Sequence, residues 1–97
     1  MYFMEGELQQ ALHDFNKLIQ LDPDDSRSHA LRGSIYFEEG AYQLALHDFN
    51  KAIQLDPEIA YAYALRGMVY DSIGEQGFAE LDINQACTLD TQFCIKR

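Results

Sequence analysis

Few side chains in this sequence are of types that do chemistry, and most of them recur at a fixed interval. His13 and His47 are 34 residues apart, and each is followed by an aspartate. Two histidines on neighbouring elements could in principle share a metal ion. The third place in the series, however, is Leu81, and the positions fall on a polar face. Surface histidines are the expected reading, with no metal site. Arg32 and Arg66 keep the same interval, as do Asp14, Asp48 and Asp82. A guanidinium on an inward-leaning position needs a carboxylate or carbonyl partner. Repeated Arg–Asp pairing within or between units is therefore expected, against the alternative of arginine stems snorkelling to water. Cys87 and Cys94 lie seven residues apart. Two turns of helix would separate them by about 10 Å, too far for a disulfide within one helix. They read as reduced thiols, which leans towards a cytoplasmic location.

No nucleophile stands next to a base with an orienting third group, and there is no phosphate loop or metal-ligand cluster in the pattern. The expectation is a non-catalytic protein without catalytic residues, metal or cofactor. Cys87 takes the place of Ile19 and Ile53 and reads as a small core residue.

The composition narrows the partners. With 16 acidic against 7 basic residues, the formal net charge is −9. Such a surface repels phosphate backbones and anionic lipid, so neither nucleic acid nor a membrane is expected as partner. It suits a basic partner, or simply keeps the chain in solution. No run of about 18 apolar residues could span a bilayer. The opening MYFMEGELQQ lacks the basic start and apolar run of a secretion signal. Ninety-seven residues, 47% of them hydrophobic, fit one small domain.

The elements that must carry these side chains follow from the interval itself. ALHDFNKLIQLDP (Ala11–Pro23) returns as ALHDFNKAIQLDP (Ala45–Pro57) with one change. ALRGSIY (Ala30–Tyr36) returns as ALRGMVY (Ala64–Tyr70), and AELDINQACTLDT (Ala79–Thr91) is a degraded third copy. Gly6, Gly40 and Gly74 keep the step. A sustained period of 34 means one supersecondary unit stacked on itself, because a lone unit cannot bury its apolar face. Each unit reads as two helices. The first covers about 26–39 and again about 60–73, closed by Gly40 and Gly74. The second covers about 42–55, with Ala45, Leu46, Phe49, Ala52 and Ile53 forming the stripe of an amphipathic helix. Asp56-Pro57 ends it. A first-unit helix is expected over Leu8–Leu21. No segment alternates with period two long enough to be a strand.

At this level the chain resembles the tetratricopeptide repeat family, whose pattern runs near-Trp, Leu-Gly, Tyr, Ala-x3-Phe, Pro. The second unit supplies His29, Arg32-Gly33, Tyr36, Ala45, Phe49 and Pro57. The third supplies Tyr63, Arg66-Gly67, Tyr70, Ala79, Ile83 and Thr91, and the first only Tyr2, Ala11, Phe15 and Pro23. The arginines stand where the family usually has leucine. The resemblance implies an all-α fold, a right-handed superhelix of antiparallel helix pairs. It would comprise a partial first repeat over 1–25, repeats over 26–59 and 60–93, and a tail over 94–97. Gly33, Ala45, Ala52 and their copies Gly67, Ala79, Ala86 would sit where helices cross closely. Tyr36, Phe49, Tyr70 and Ile83 would fill space between them. Thr91 in place of proline leaves two readings open: drift in a terminal repeat, or a last helix that continues past Asp90 and offers Phe93 to a partner.

The same resemblance implies a scaffold that binds a peptide or helix of a partner protein in a concave groove lined by the first helix of each unit. Mapped onto this sequence, the groove positions are Phe3, Met4, Arg27, Leu31, Ser34, Phe37, Glu38, Tyr61, Leu65, Met68 and Asp71, with Ala30, Ala64 and Ser72 beside them. Family members that hold a C-terminal carboxylate carry Lys, Asn and Arg at positions that are Ala30, Ser34, Tyr61 and Leu65 here. The expected ligand is instead apolar with some basic character. The alternative is self-assembly, a homo-oligomer formed through the incomplete first unit and the apolar tail around Phe93 and Ile95.

Overall fold

Three aspartates punctuate the chain. Asp22, Asp56 and Asp90 each end a helix and each accept a hydrogen bond from the backbone N–H two residues on, at 3.3, 3.0 and 3.1 Å. A carboxylate that offers the backbone this local partner competes with continued helix and turns the chain. The computed structural model describes residues 5–94. Its α-helices are α1 (Glu5–Leu21), α2 (Ser26–Glu38), α3 (Tyr42–Leu55), α4 (Ala60–Ser72) and α5 (Gln76–Leu89), followed by a 3-10 turn at Thr91–Phe93. Among the described residues there is no strand. Helix α1 runs through Gly6 and starts three residues before the expected Leu8.

The short turns between α2 and α3 and between α4 and α5 are alike. Gly40 and Gly74 take φ of 77° and 84°. That left-handed conformation lets Ala41 N–H reach Tyr36 O and Glu75 N–H reach Tyr70 O, both at 2.8 Å. These bonds satisfy carbonyls that would otherwise be orphaned at the helix ends. Helix α2 begins at Asp25, whose carboxylate accepts from Arg27 N–H at 3.1 Å.

Helix α2 packs along α3 and α4 along α5, while α1 against α2 and α3 against α4 join successive pairs. The molecule measures 37 × 27 × 21 Å, an elongated all-α solenoid. Its core is Ala30, Ala45, Phe49, Ala52, Ile59, Ala62 and Val69, with Tyr36, Phe37, Tyr42, Leu46, Ile53, Tyr61 and Leu65 packed around it. The close crossings are real. A Cβ on Gly33 would lie 2.9 Å from a Phe49 ring carbon, and one on Gly67 would lie 3.1 Å from Ile83 Cδ1. His29 is buried, its Nε2–H donating to Pro23 O at 2.8 Å.

At the C-terminal end one of the two readings of Thr91 is excluded and one expectation is corrected. Helix α5 does not continue past Asp90, even without a proline. Asp90 adopts extended backbone (φ −151°, ψ 115°), and its carboxylate caps the 3-10 turn. Cys87 and Cys94 are not free thiols but form a disulfide, with their Cα atoms 4.4 Å apart. The spacing argument failed because it assumed unbroken helix. The chain leaves the helix three residues after Cys87 and folds back in one turn, which brings Cys94 alongside. The leaning towards a cytoplasmic location rested on unpaired thiols and loses that footing.

Candidate partner-binding surface

The repeated arginines build the most specific polar structure in the molecule. Arg32, on α2, donates from Nε and Nη2 to the two carboxylate oxygens of Asp48 on α3, at 2.8 and 2.7 Å. Its remaining Nη1 donates to Asn16 Oδ1 on α1 at 2.9 Å. Arg66 repeats the arrangement one unit on, with Asp82 at 2.7 Å from both Nε and Nη2 and Asn50 Oδ1 at 2.9 Å. The Asp48 and Asp82 side chains are almost fully buried, while the arginines keep a fifth of their surface in solvent. Each guanidinium also lies over an aromatic ring: Arg32 over Tyr36, and Arg66 over Tyr63 and Tyr70. The hydrogen bonds to Asp48 and Asp82 raise the pKa of Arg32 and Arg66, outweighing the cost of burial. The expected pairing is therefore present within the second and third units, and the snorkelling alternative is not; Asp14 of the first unit accepts from Gln10 Nε2 instead, at 3.2 Å. The sequence reading missed the asparagines. Their signal was available, because Asn16, Asn50 and Asn84 hold the same 34-residue step.

The mapped groove positions divide into four groups. Phe3 and Met4 lie outside the described residues. Phe37, Tyr61 and Leu65 pack against the core at the junction between units. Burial raises the Tyr61 hydroxyl above the usual tyrosine pKa. Ala30 and Ala64 are buried, so they line no open groove. Arg27, Leu31, Glu38, Met68 and Asp71 are exposed, and Ser34 is half-buried with its hydroxyl donating to Leu31 O at 2.6 Å. Leu31 and Met68, at 42% and 47% exposure, are the exposed large apolar residues within the neighbouring helices α2 and α4; Leu21, Leu44, Phe78 and Leu81 on α1, α3 and α5 are more exposed still.

Two of the clefts among the described residues bear on binding. One, of about 510 Å³, lies against α4 and α5 and is lined by Gly67, Met68, Asp71, Glu80, Ile83 and Asn84 among others. The other, of about 380 Å³, brings Arg27 and Tyr61 together with Asp56, Ile59, Leu89 and Phe93. Phe93 is thus held at the turn side of the molecule and half-buried. His13 and His47 are exposed. Among the described residues no three His, Cys, Asp or Glu side chains gather that could hold a metal ion. No described helix is long and apolar enough to cross a membrane.

A family model of the tetratricopeptide repeat matches residues 1–70. The chain belongs to the tetratricopeptide repeat family. Solved structures agree on the fold. The chain is similar to MamA, with 28% identity over 91% of this chain and a TM-score of 0.83, and it spans about half of that protein (52%). It is similar to the second tetratricopeptide domain of Spaghetti (RPAP3), which is bound to the HSP90 peptide SRMEEVD. There the identity is 27%, the coverage 89% of this chain and 80% of that one, and the TM-score 0.84. The type III secretion translocator chaperone SycD of Yersinia enterocolitica is similar as well, at 26% identity, 87% and 58% coverage and a TM-score of 0.82. No curated protein matches by sequence.

Proposed function

We propose that this tetratricopeptide repeat chain is a protein-interaction scaffold that binds a peptide or helix of a partner across its first-of-pair helices, α2 and α4. The observation that carries this reading is the pair Leu31 and Met68. Both are large, apolar and open to solvent on the adjacent helices α2 and α4, whereas the other exposed large apolar residues, Leu18, Leu21, Leu44, Ile73, Phe78 and Leu81, lie on α1, α3, α5 or the end of α4. A contiguous exposed apolar patch rimmed by polar residues marks a docking surface. Arg27, Glu38 and Asp71 supply the polar surround. The solved relative that holds an HSP90 peptide supports the use of this fold for capturing short segments.

The ligand differs from an acidic tail. Ala30, Ser34, Tyr61 and Leu65 occupy the places where a carboxylate would need cations, and the chain carries a net charge of −9. A largely apolar segment with basic residues at its edges matches these features best.

The test is a peptide selection against the wild-type chain, followed by affinity measurement on Leu31→Glu/Met68→Glu. Both residues are exposed, so the fold survives, and circular dichroism checks it. Selected peptides should be apolar and basic and should lose at least about tenfold in affinity on the variant, because a buried apolar anchor is worth about 1.5–3 kcal/mol. Unchanged affinity would refute the assignment of the surface.

A further inference from the structure

The interface between successive units supplies a template for what the cleft on α4 and α5 can receive. Inside the chain, α4 seats on the surface formed by α2 and α3. There Tyr61 and Leu65, like Phe37, Tyr42 and Leu46, pack against the shared buried core, and Arg66 reaches across to Asn50. Arg32 of α2 reaches across to Asn16 of α1 in the same way. The same surface recurs one unit later on α4 and α5, as the cleft of about 510 Å³. Stepping each position by 34 turns Phe49 into Ile83, Asn50 into Asn84 and Ser34 into Met68. All three line the cleft, together with Gly67 and Ala79. Asn84 is exposed, and its amide stands where both earlier asparagines accept a guanidinium from the following unit.

The rim has changed chemistry. Phe37, Tyr42 and Leu46 have become Asp71, Gln76 and Glu80. The floor stays apolar while the edge turns acidic. A second copy of this chain is a poor occupant, because Arg32 and Arg66 are already committed to buried aspartates. The like charge of two acidic chains opposes the approach as well. We propose that this α4–α5 cleft is a docking site for a cationic amphipathic helix of a partner protein. Its central arginine donates to Asn84 as Arg32 donates to Asn16 and Arg66 to Asn50. Its flanking basic residues meet Asp71 and Glu80. This site is separate from the α2–α4 surface assigned above, although Met68 and Asp71 border both, and the two are told apart by residues of α5.

The probe is a helix-stapled peptide of the α4 sequence, Ala60–Ser72, with Tyr61→Lys and Leu65→Lys to face the acidic rim. It is titrated into ¹⁵N-labelled protein. Amide shifts are expected at Gly67, Ile83 and Asn84. A sibling peptide with Arg66→Leu should bind about tenfold more weakly, since a charge-assisted hydrogen bond is lost. That difference should vanish on Asn84→Leu protein, which keeps its fold because the site is exposed. Equal affinity of the two peptides for the wild type overturns the proposal. So does an absence of binding at millimolar peptide, or shifts confined to Leu31 and its neighbours on α2, which would leave the α2–α4 reading standing alone.

Discussion

Replacing Arg32 with leucine should unbalance the most buried charge in the molecule. Asp48 keeps about 1% of its side chain in solvent, and among the described residues both its oxygens accept side-chain hydrogen bonds only from Arg32. Arg32→Leu leaves that carboxylate charged, buried and unpaired. Breaking a buried pair from one side typically costs about 3–5 kcal/mol. Some of the loss is recovered if water enters beside Arg32, which is itself a fifth exposed, so the low end is expected, about 3 kcal/mol. The assay is urea unfolding followed by circular dichroism. With a slope of about 1–3 kcal/mol/M, the midpoint should fall by about 1–3 M at unchanged slope. The double variant Arg32→Leu/Asp48→Leu removes both charges and should regain most of the stability, because a matched apolar pair is often as stable as a buried ion pair. A loss below about 1 kcal/mol in the single variant, or no recovery in the double, would refute the view that the clamp is a desolvated, interdependent pair.

Three further outcomes follow from the packing and the termini of the fold. Gly33→Ala should destabilise by about 1–3 kcal/mol by thermal melting, since the added methyl meets Phe49 and Asp48 at about 3 Å; Gly77→Ala, with nothing within 4 Å of its Cβ, should be neutral or stabilising by up to about 1 kcal/mol. A thiol assay should find no free cysteine before reduction and two after, and reduction should lower stability by about 2 kcal/mol as the short Cys87–Cys94 loop is released. Burial raises the Tyr61 pKa, so the folded state holds that proton longer than the unfolded chain. Its contribution to stability is complete below the free-tyrosine value near 10 and is lost as pH rises through the folded pKa. The ultraviolet titration difference between wild type and Tyr61→Phe should therefore contain a component ionising above 10, and a component at or below 10 would contradict the burial.

The repeat made the architecture readable. Helix boundaries, the two positive-φ glycines and the small residues at the crossings all follow from a period of 34 and the needs of stacked helix pairs. Arg–Asp pairing was readable for the same reason, since an inward guanidinium requires a partner. The features that escaped depend on chain geometry at single points. The disulfide needed the knowledge that Asp90 stops α5, and the proline-centred pattern hid this because aspartate alone suffices. The groove list mixed exposed and packed residues, because a repeat position does not fix burial: Leu31 and Leu65 hold the same place in successive units, yet Leu65 packs on the core of the unit before it and Leu31 is open to solvent. Asn84 went unnoticed until Asn16 and Asn50 were seen to accept from arginine.

The central claim is that the exposed apolar positions of α2 and α4 form the binding surface. Its most direct measurement is an amide-shift map of ¹⁵N-labelled protein titrated with a peptide selected on the wild-type chain. The account predicts the largest shifts around Leu31, Ser34 and Met68. Shifts centred on the outer face of α1 or α3, around His13 and His47, with Leu31 and Met68 unmoved, would contradict it.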